Sequence, residues 1–154
     1  MLKPGDRLPA LALEDETGAK RTLADLARPK GLVLYVYPKD DTPGCTLEGQ
    51  EFTALLAKFR GLGWEVAGLS KDSVKSHCSF IEKQGLGVPL LSDAQGTLIE
   101  ALGAFGEKKL AGKVSQGILR TTFVVGADGK ILKVYSQVKA AGHAQQVLSD
   151  LLAL

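Results

Sequence analysis

The sequence predicts an α/β fold, a layered sandwich with a central mixed sheet, helices on both faces and an N-terminal hairpin extension. Three observations predict it. Apolar, strand-sized runs alternate with helix-period segments through roughly the first two thirds of the chain, the pattern of parallel βαβ units. The last third carries two alternating strands around an Asp128-Gly129 turn and then an amphipathic segment, a hairpin followed by a closing helix. Finally, 154 residues at 45% hydrophobic content suffice for one well-buried core and are short for two ordinary domains, so residues 1–154 are read as one domain.

Each element follows from its own stretch. "DRLPALALEDETGAKRTLADL" reads as a short hairpin and one helical turn. Residues 32–37, LVLYVY, are apolar on both faces, as a buried central strand is. From Pro43 to about Arg60, Phe52, Leu55, Leu56 and Phe59 recur at helical spacing and "GLG" stops the helix. "WEVAGLS" (64–70) is the next strand, Asp72 or Ser73 caps a helix to about Gln84, and "VPLLSD" (88–93) is a third strand before the helical "GTLIEALGAF". "GILRTTFVVGADGKILKVYS" forms the hairpin, with Arg120 inside its first strand. "HAQQVLSDLLAL" places Val147, Leu148, Leu151 and Leu152 on one helix face. Parallel units first and an antiparallel hairpin plus helix last is the order of a thioredoxin-like sandwich.

Composition excludes several classes of function. The 19 basic and 17 acidic residues leave a net charge of +2 without a basic stripe, which argues against nucleic acid as a partner. The longest apolar runs are strand-sized, far below the ~18 residues of a membrane span, so a soluble chain without membrane contact is expected. The start, "MLKPGDRLPA", lacks a charged region followed by an apolar one, and no secretory signal is visible. Two cysteines in that setting fit a reducing cytoplasm, where cysteine is catalytic, metal-binding or inert more often than bridged.

One of those cysteines stands where a thiol gains chemistry. With Thr42 as N-cap and Pro43 at the first helical position, Cys45 falls in the first turn of a helix. Unpaired backbone N–H groups and the positive end of the helix dipole stabilise a thiolate there. Gly44 removes a side chain beside the sulfur and opens the backbone amides to a small substrate. A buried, inert cysteine is the alternative at this location.

The stretch "YPKDDTPGCTLE" carries Pro38, Thr42 and Cys45 in a Pro-x-x-x-Thr-x-x-Cys pattern and resembles the peroxiredoxins, in particular the peroxiredoxin Q or bacterioferritin comigratory protein branch. "GDRLPALALEDETG", "LSKDSVKSHCSF", "VPLLSD" and "GILRTTFVV" resemble the same branch in order along nearly the whole chain. The resemblance implies that Cys45 is the peroxidatic cysteine and that Arg120 polarises thiolate and peroxide. It implies further that Thr42 hydrogen-bonds the thiolate and the bound peroxide, and that Pro38 shields the site from water. The residues agree with those roles, since thiolate attack on a peroxide needs a fixed positive charge and donors where charge develops. The alternatives are an exposed edge-strand charge for Arg120 and a plain helix cap for Thr42. Glu48, one turn beyond Cys45, is either a holder of the arginine or a solvated helix charge.

The second cysteine departs from the family pattern. Relatives carry a resolving cysteine five residues after the peroxidatic one, where this chain has Gln50, or on the next helix, where it has Ile81. Cys78 lies one turn before Ile81 on a stripe with Val74, so it is either the resolving cysteine or a buried structural one. His77 reads as a helix-surface or packing residue and His143 as an N-terminal residue of the last helix. "GEKKLAGKV" imitates a phosphate-binding loop but has five residues between its glycines, Val114 in place of Ser or Thr, and no strand just before it.

The expectation is a thioredoxin-dependent peroxidase for hydrogen peroxide and small organic hydroperoxides, without metal or cofactor. Cys45 becomes a sulfenic acid, Cys78 closes a disulfide with it, and a thioredoxin or similar dithiol reductant restores both. The resemblance also suggests a monomer. The rival is a redox-responsive binding protein, a peroxide sensor or holdase chaperone, in which Cys45 oxidation alters a surface.

Overall fold

The computed structural model describes residues 1–154, the side chain of Leu110 aside. In chain order the elements are β1 (Ala12–Glu14), β2 (Lys20–Thr22), α1 (Leu23–Leu26), β3 (Gly31–Val36), α2 (Pro43–Gly61), β4 (Trp64–Ser70), α3 (Val74–Gln84), β5 (Leu90–Ser92), α4 (Thr97–Leu102), β6 (Phe105–Leu110), β7 (Lys113–Ile118), β8 (Thr121–Gly126), β9 (Ile131–Tyr135) and α5 (His143–Leu152). Seven strands form one mixed sheet in the order β2-β1-β5-β4-β3-β8-β9, and β6 pairs only with β7.

The residue alternation of β3 sets the layers. Val33 and Tyr35 belong to one core with Phe52, Leu56 and Phe59 of α2, Phe80 of α3 and Val147, Leu148 and Leu151 of α5. Leu32, Leu34 and Val36 belong to the opposite core with Leu23, Leu26, Leu98, Ile99 and Leu102. A strand apolar on both sides is satisfied only in the middle of a sheet with both faces covered. β3 accordingly lies between β4, parallel, and β8, antiparallel. The fold is the thioredoxin-like α/β sandwich with an N-terminal hairpin extension that the sequence predicts. That hairpin reaches the sheet through Glu14 opposite Ser92.

The departures concern residues 88 to 120. The third strand is shorter than expected, Leu90–Ser92, and the helix of "GTLIEALGAF" stops at Leu102 because Gly103 adopts a left-handed φ of 79°. The stretch that imitates a phosphate-binding loop lies in the β6–β7 hairpin, turned by Ala111 and Gly112, both at positive φ (51° and 78°). Arg120 is not inside a strand. Leu119 N–H bonds back to Ala104 O (2.8 Å) and Arg120 O accepts from Val138 N–H (3.2 Å), so the chain leaves the ladder between β7 and β8.

Candidate active site

The site forms where β3 runs out and α2 begins. Thr42 is the extended N-cap residue (φ −100°, ψ 155°), Pro43 follows, and Thr46 N–H bonds to Thr42 O at 2.8 Å, which closes the first turn around Cys45. The thiol is only 2% exposed. The Thr42 hydroxyl caps nothing: it donates to Lys39 O at 2.8 Å, so its remaining capacity is to accept. Pro38 is half-buried on the loop that enters the helix.

The break in the ladder at Arg120 aims that side chain at α2. Its Nη2 donates to Cys45 Sγ at 3.3 Å and its Nη1 to Glu48 Oε1 at 2.6 Å. Neither an edge-strand charge nor a solvated helix charge survives as a reading, since Arg120 is 17% and Glu48 0% exposed. Gly44 makes room for the arginine, because a Cβ there would stand 3.1 Å from Arg120 Nη2.

Burial is the main electrical influence here. It pushes Glu48 up to about 7 against the pull of Arg120, and Glu48 Oε2 has no partner. It also works against the Arg120 charge, but Glu48 and then Cys45 outweigh it and hold the guanidinium charged. Tyr35, fully enclosed and with an unpartnered hydroxyl, is pushed well above its ordinary value by burial and then by Glu48 and Cys45. His143 is buried as the first residue of α5, with Nε2 2.7 Å from Thr122 Oγ1. Burial and then Arg120 bring it down to about 4. The fixed positive charge at the sulfur, in a nearly dry setting, suits attack by a thiolate.

Cys78 is a free thiol, exposed on α3, and so is not a structural core cysteine. The face of α3 that turns inward carries His77 and Phe80, which displaces Cys78 to the outside. Of the two readings of His77, surface or packing, burial supports packing: it is fully enclosed and hydrogen-bonded through both ring nitrogens. Its position one turn before Phe80 was the available signal. An open cleft of about 750 Å³ is lined in part by Lys108, Leu119, Arg120 and Gln137. Among the described residues, no helix is long and apolar enough to cross a membrane.

Residues 4–134 match the AhpC/TSA family. The chain is 48% identical over 122 residues to peroxiredoxin Bcp of Xanthomonas campestris, covering 79% of this chain and 76% of that protein. The chain belongs to the AhpC/TSA family, in its peroxiredoxin Q (Bcp) branch. Peroxiredoxin Bcp of Escherichia coli K12 is 37% identical over 148 residues, 96% of this chain and 94% of the relative. The bacterioferritin comigratory protein of Xanthomonas campestris, whose structure bears on alkyl peroxide reduction, superposes with a TM-score of 0.86 at 42% identity, covering 96% of this chain and 98% of that one. As a peroxiredoxin the chain is a thiol-dependent peroxidase.

Proposed function

We propose that Cys45 is the peroxidatic nucleophile of this peroxidase, that its substrates are hydrogen peroxide and small organic hydroperoxides, and that residues 1–154 work as one domain. The observation that carries the assignment is the shared guanidinium, with Arg120 Nη2 at 3.3 Å from Cys45 Sγ. The Cys45 thiolate attacks the terminal oxygen of the hydroperoxide, the O–O bond breaks, and the departing alkoxide takes a proton to leave as an alcohol, or as water from hydrogen peroxide. Cys45 becomes a sulfenic acid. Arg120 offsets the negative charge as it moves from sulfur to the leaving oxygen. The Thr42 hydroxyl oxygen accepts a hydrogen bond from the hydroperoxide O–H, its own proton being donated to Lys39 O. Pro38 covers the loop side of the site.

The Cys78 thiolate then attacks the Cys45 sulfenic sulfur and expels hydroxide, which is protonated to water, and a thioredoxin-type dithiol reduces the disulfide by exchange. A monomeric, cytoplasmic enzyme is part of this reading. The sensor or chaperone role gains no support from relatives that are peroxiredoxins by name. Steady-state consumption of hydrogen peroxide and an alkyl hydroperoxide, coupled to thioredoxin and its reductase, tests the assignment. Turnover with each peroxide is expected, and it should vanish in Cys45→Ser.

A further inference from the structure

The loop between β3 and α2 is held from the side by α3, and the hold is built around a buried carboxylate. Asp40, 7% exposed, accepts from Tyr37 Oη at 2.6 Å, from Ser76 Oγ at 2.8 Å and from His77 Nδ1 at 2.8 Å. Its backbone N–H donates to Asp72 Oδ2 at 2.9 Å, ahead of α3. On the far side of the ring, His77 Nε2 lies 3.0 Å from Leu91 O of β5. Both ring nitrogens thus lie within hydrogen-bond distance of an oxygen, one from the loop and one from the sheet.

A second tie sits at the other end of the same helix and is of another kind. Asp41, at a left-handed φ of 58°, accepts from Lys83 Nζ at 2.6 Å and Gln84 Nε2 at 2.9 Å, with Lys83 66% and Asp41 38% exposed. Exposed pairs of this sort contribute little. Removing one partner of a buried, hydrogen-bonded charge is far more disruptive, because the group left behind has no water to turn to. The buried tie is therefore the one that holds.

It joins two segments needed at different moments. Asp40 lies between Pro38 and Thr42, five residues before Cys45, and His77 is the neighbour of Cys78 in sequence. We propose that Asp40 and His77 are positioning residues which keep the Pro38–Thr42 loop set around Cys45, and that release of their hydrogen bonds is the step that lets Cys78 reach the oxidised Cys45. The proposal rests on the two-cysteine cycle above. Intact, the pair favours attack on peroxide and delays resolution; once broken, it does the reverse.

The test compares Asp40→Asn, Ser76→Ala and Lys83→Ala with the parent chain. Stopped-flow measurement gives the rate of Cys45 oxidation by hydrogen peroxide, and non-reducing mass analysis gives the rate of Cys45–Cys78 bridge formation. Asp40→Asn should slow oxidation by about tenfold and speed bridge formation. Ser76→Ala should do both more mildly, and Lys83→Ala neither. Both rates moving in the same direction, or Lys83→Ala behaving like Asp40→Asn, overturns the proposal. Hydrogen exchange on the reduced chains needs no peroxidase chemistry. In Asp40→Asn and Ser76→Ala, residues 38–46 and 74–80 should lose protection together while 121–126 keep theirs, and independent changes in the two segments overturn the coupling. If Asp40→Asn does not fold, Ser76→Ala decides, since it removes one bond from a half-buried hydroxyl. A parent chain that consumes no peroxide refutes the enzymatic reading and leaves the exchange result to judge the coupling.

Discussion

Cys45 and Glu48 share one guanidinium, Nη2 at the sulfur and Nη1 at the carboxylate, so the surroundings of that arginine shape what single substitutions should do. Cys45→Ser should abolish peroxide consumption, because an alcohol near neutral pH offers almost no anion to attack with. Gly44→Ala is a subtler probe. Alanine is the better helix former, yet its Cβ would press on Arg120 Nη2, so peroxide oxidation should fall by about tenfold while the urea midpoint holds or rises. A normal oxidation rate would show that the arginine need not stand where it does. Glu48 makes a prediction about pH. The fold binds its proton more tightly than the unfolded chain, so its stabilisation is complete below about pH 4.5 and is lost as pH rises toward about 7, on the order of 3 kcal/mol. His143 runs the other way and withdraws stability as pH falls from 6.5 toward about 4. Glu48→Gln removes the first and keeps the second. It should lose stability on acidification from pH 6.5 to 4.5 more steeply than the parent, and urea midpoints with parallel pH profiles would count against that. That Cys45 opens a helix was legible in the residues themselves, from the Thr-Pro punctuation before it, whereas its pairing with Arg120 was legible only through the family resemblance. The burial of Glu48 was not legible, since it depends on an arginine arriving from 72 positions away. Likewise, nothing local says that His77 will find acceptors on both sides.

Among the elements, the sequence was most legible where one periodicity ran uninterrupted. β4 spans Trp64–Ser70 as read, and α2 starts at Pro43 and ends within a residue or so of the expected stop. It failed from Phe105 to Ile118, where both strands of the hairpin are largely exposed and "EKKLAGK" has neither strand alternation nor an Asn-Gly turn. Ala111 occupies a position with φ of 51° that a two-residue hairpin turn reserves for glycine or asparagine. Ala111→Gly should relieve about 1 kcal/mol of local strain. Because the hairpin pairs with no other strand, the gain should appear as slower amide exchange across residues 105–118 rather than as a higher global midpoint. Protection unchanged there would mean that the turn is not what limits the hairpin. The misplacement of Arg120 has a related origin. "ILRTTFVV" reads as one strand, but the chain must swing from the hairpin back to the sheet, and the two residues that make the swing take their backbone partners from Ala104 and Val138.

At the scale of the whole molecule, the sheet separates what must stay still from what must move. β3, β4 and β8 lie in the sheet interior with their central residues buried, while Cys45 stands at the start of α2 and Cys78 outside on α3. A disulfide requires Cα atoms within about 7 Å. With one thiol buried under a guanidinium and the other exposed on a different helix, local opening of both helices is the expected route to that approach. Such opening is available because helix ends open at energies well below global unfolding. Closing the loop between residues 45 and 78 would also restrict the unfolded chain, by on the order of 3 to 4 kcal/mol in the entropy model, which offsets part of the helix lost. Peroxide-oxidised protein should therefore show a Cys45–Cys78 bridge by non-reducing peptide mapping. It should lose exchange protection across 42–50 and 73–84, and keep it in β3, β4 and β8. Cys78→Ser should still be oxidised at the parent rate, but should then accumulate sulfenic acid until an external thiol arrives. Oxidation without the bridge would assign the chain a one-cysteine cycle. A bridge formed with α2 and α3 fully protected would mean that the thiols already meet in the folded state.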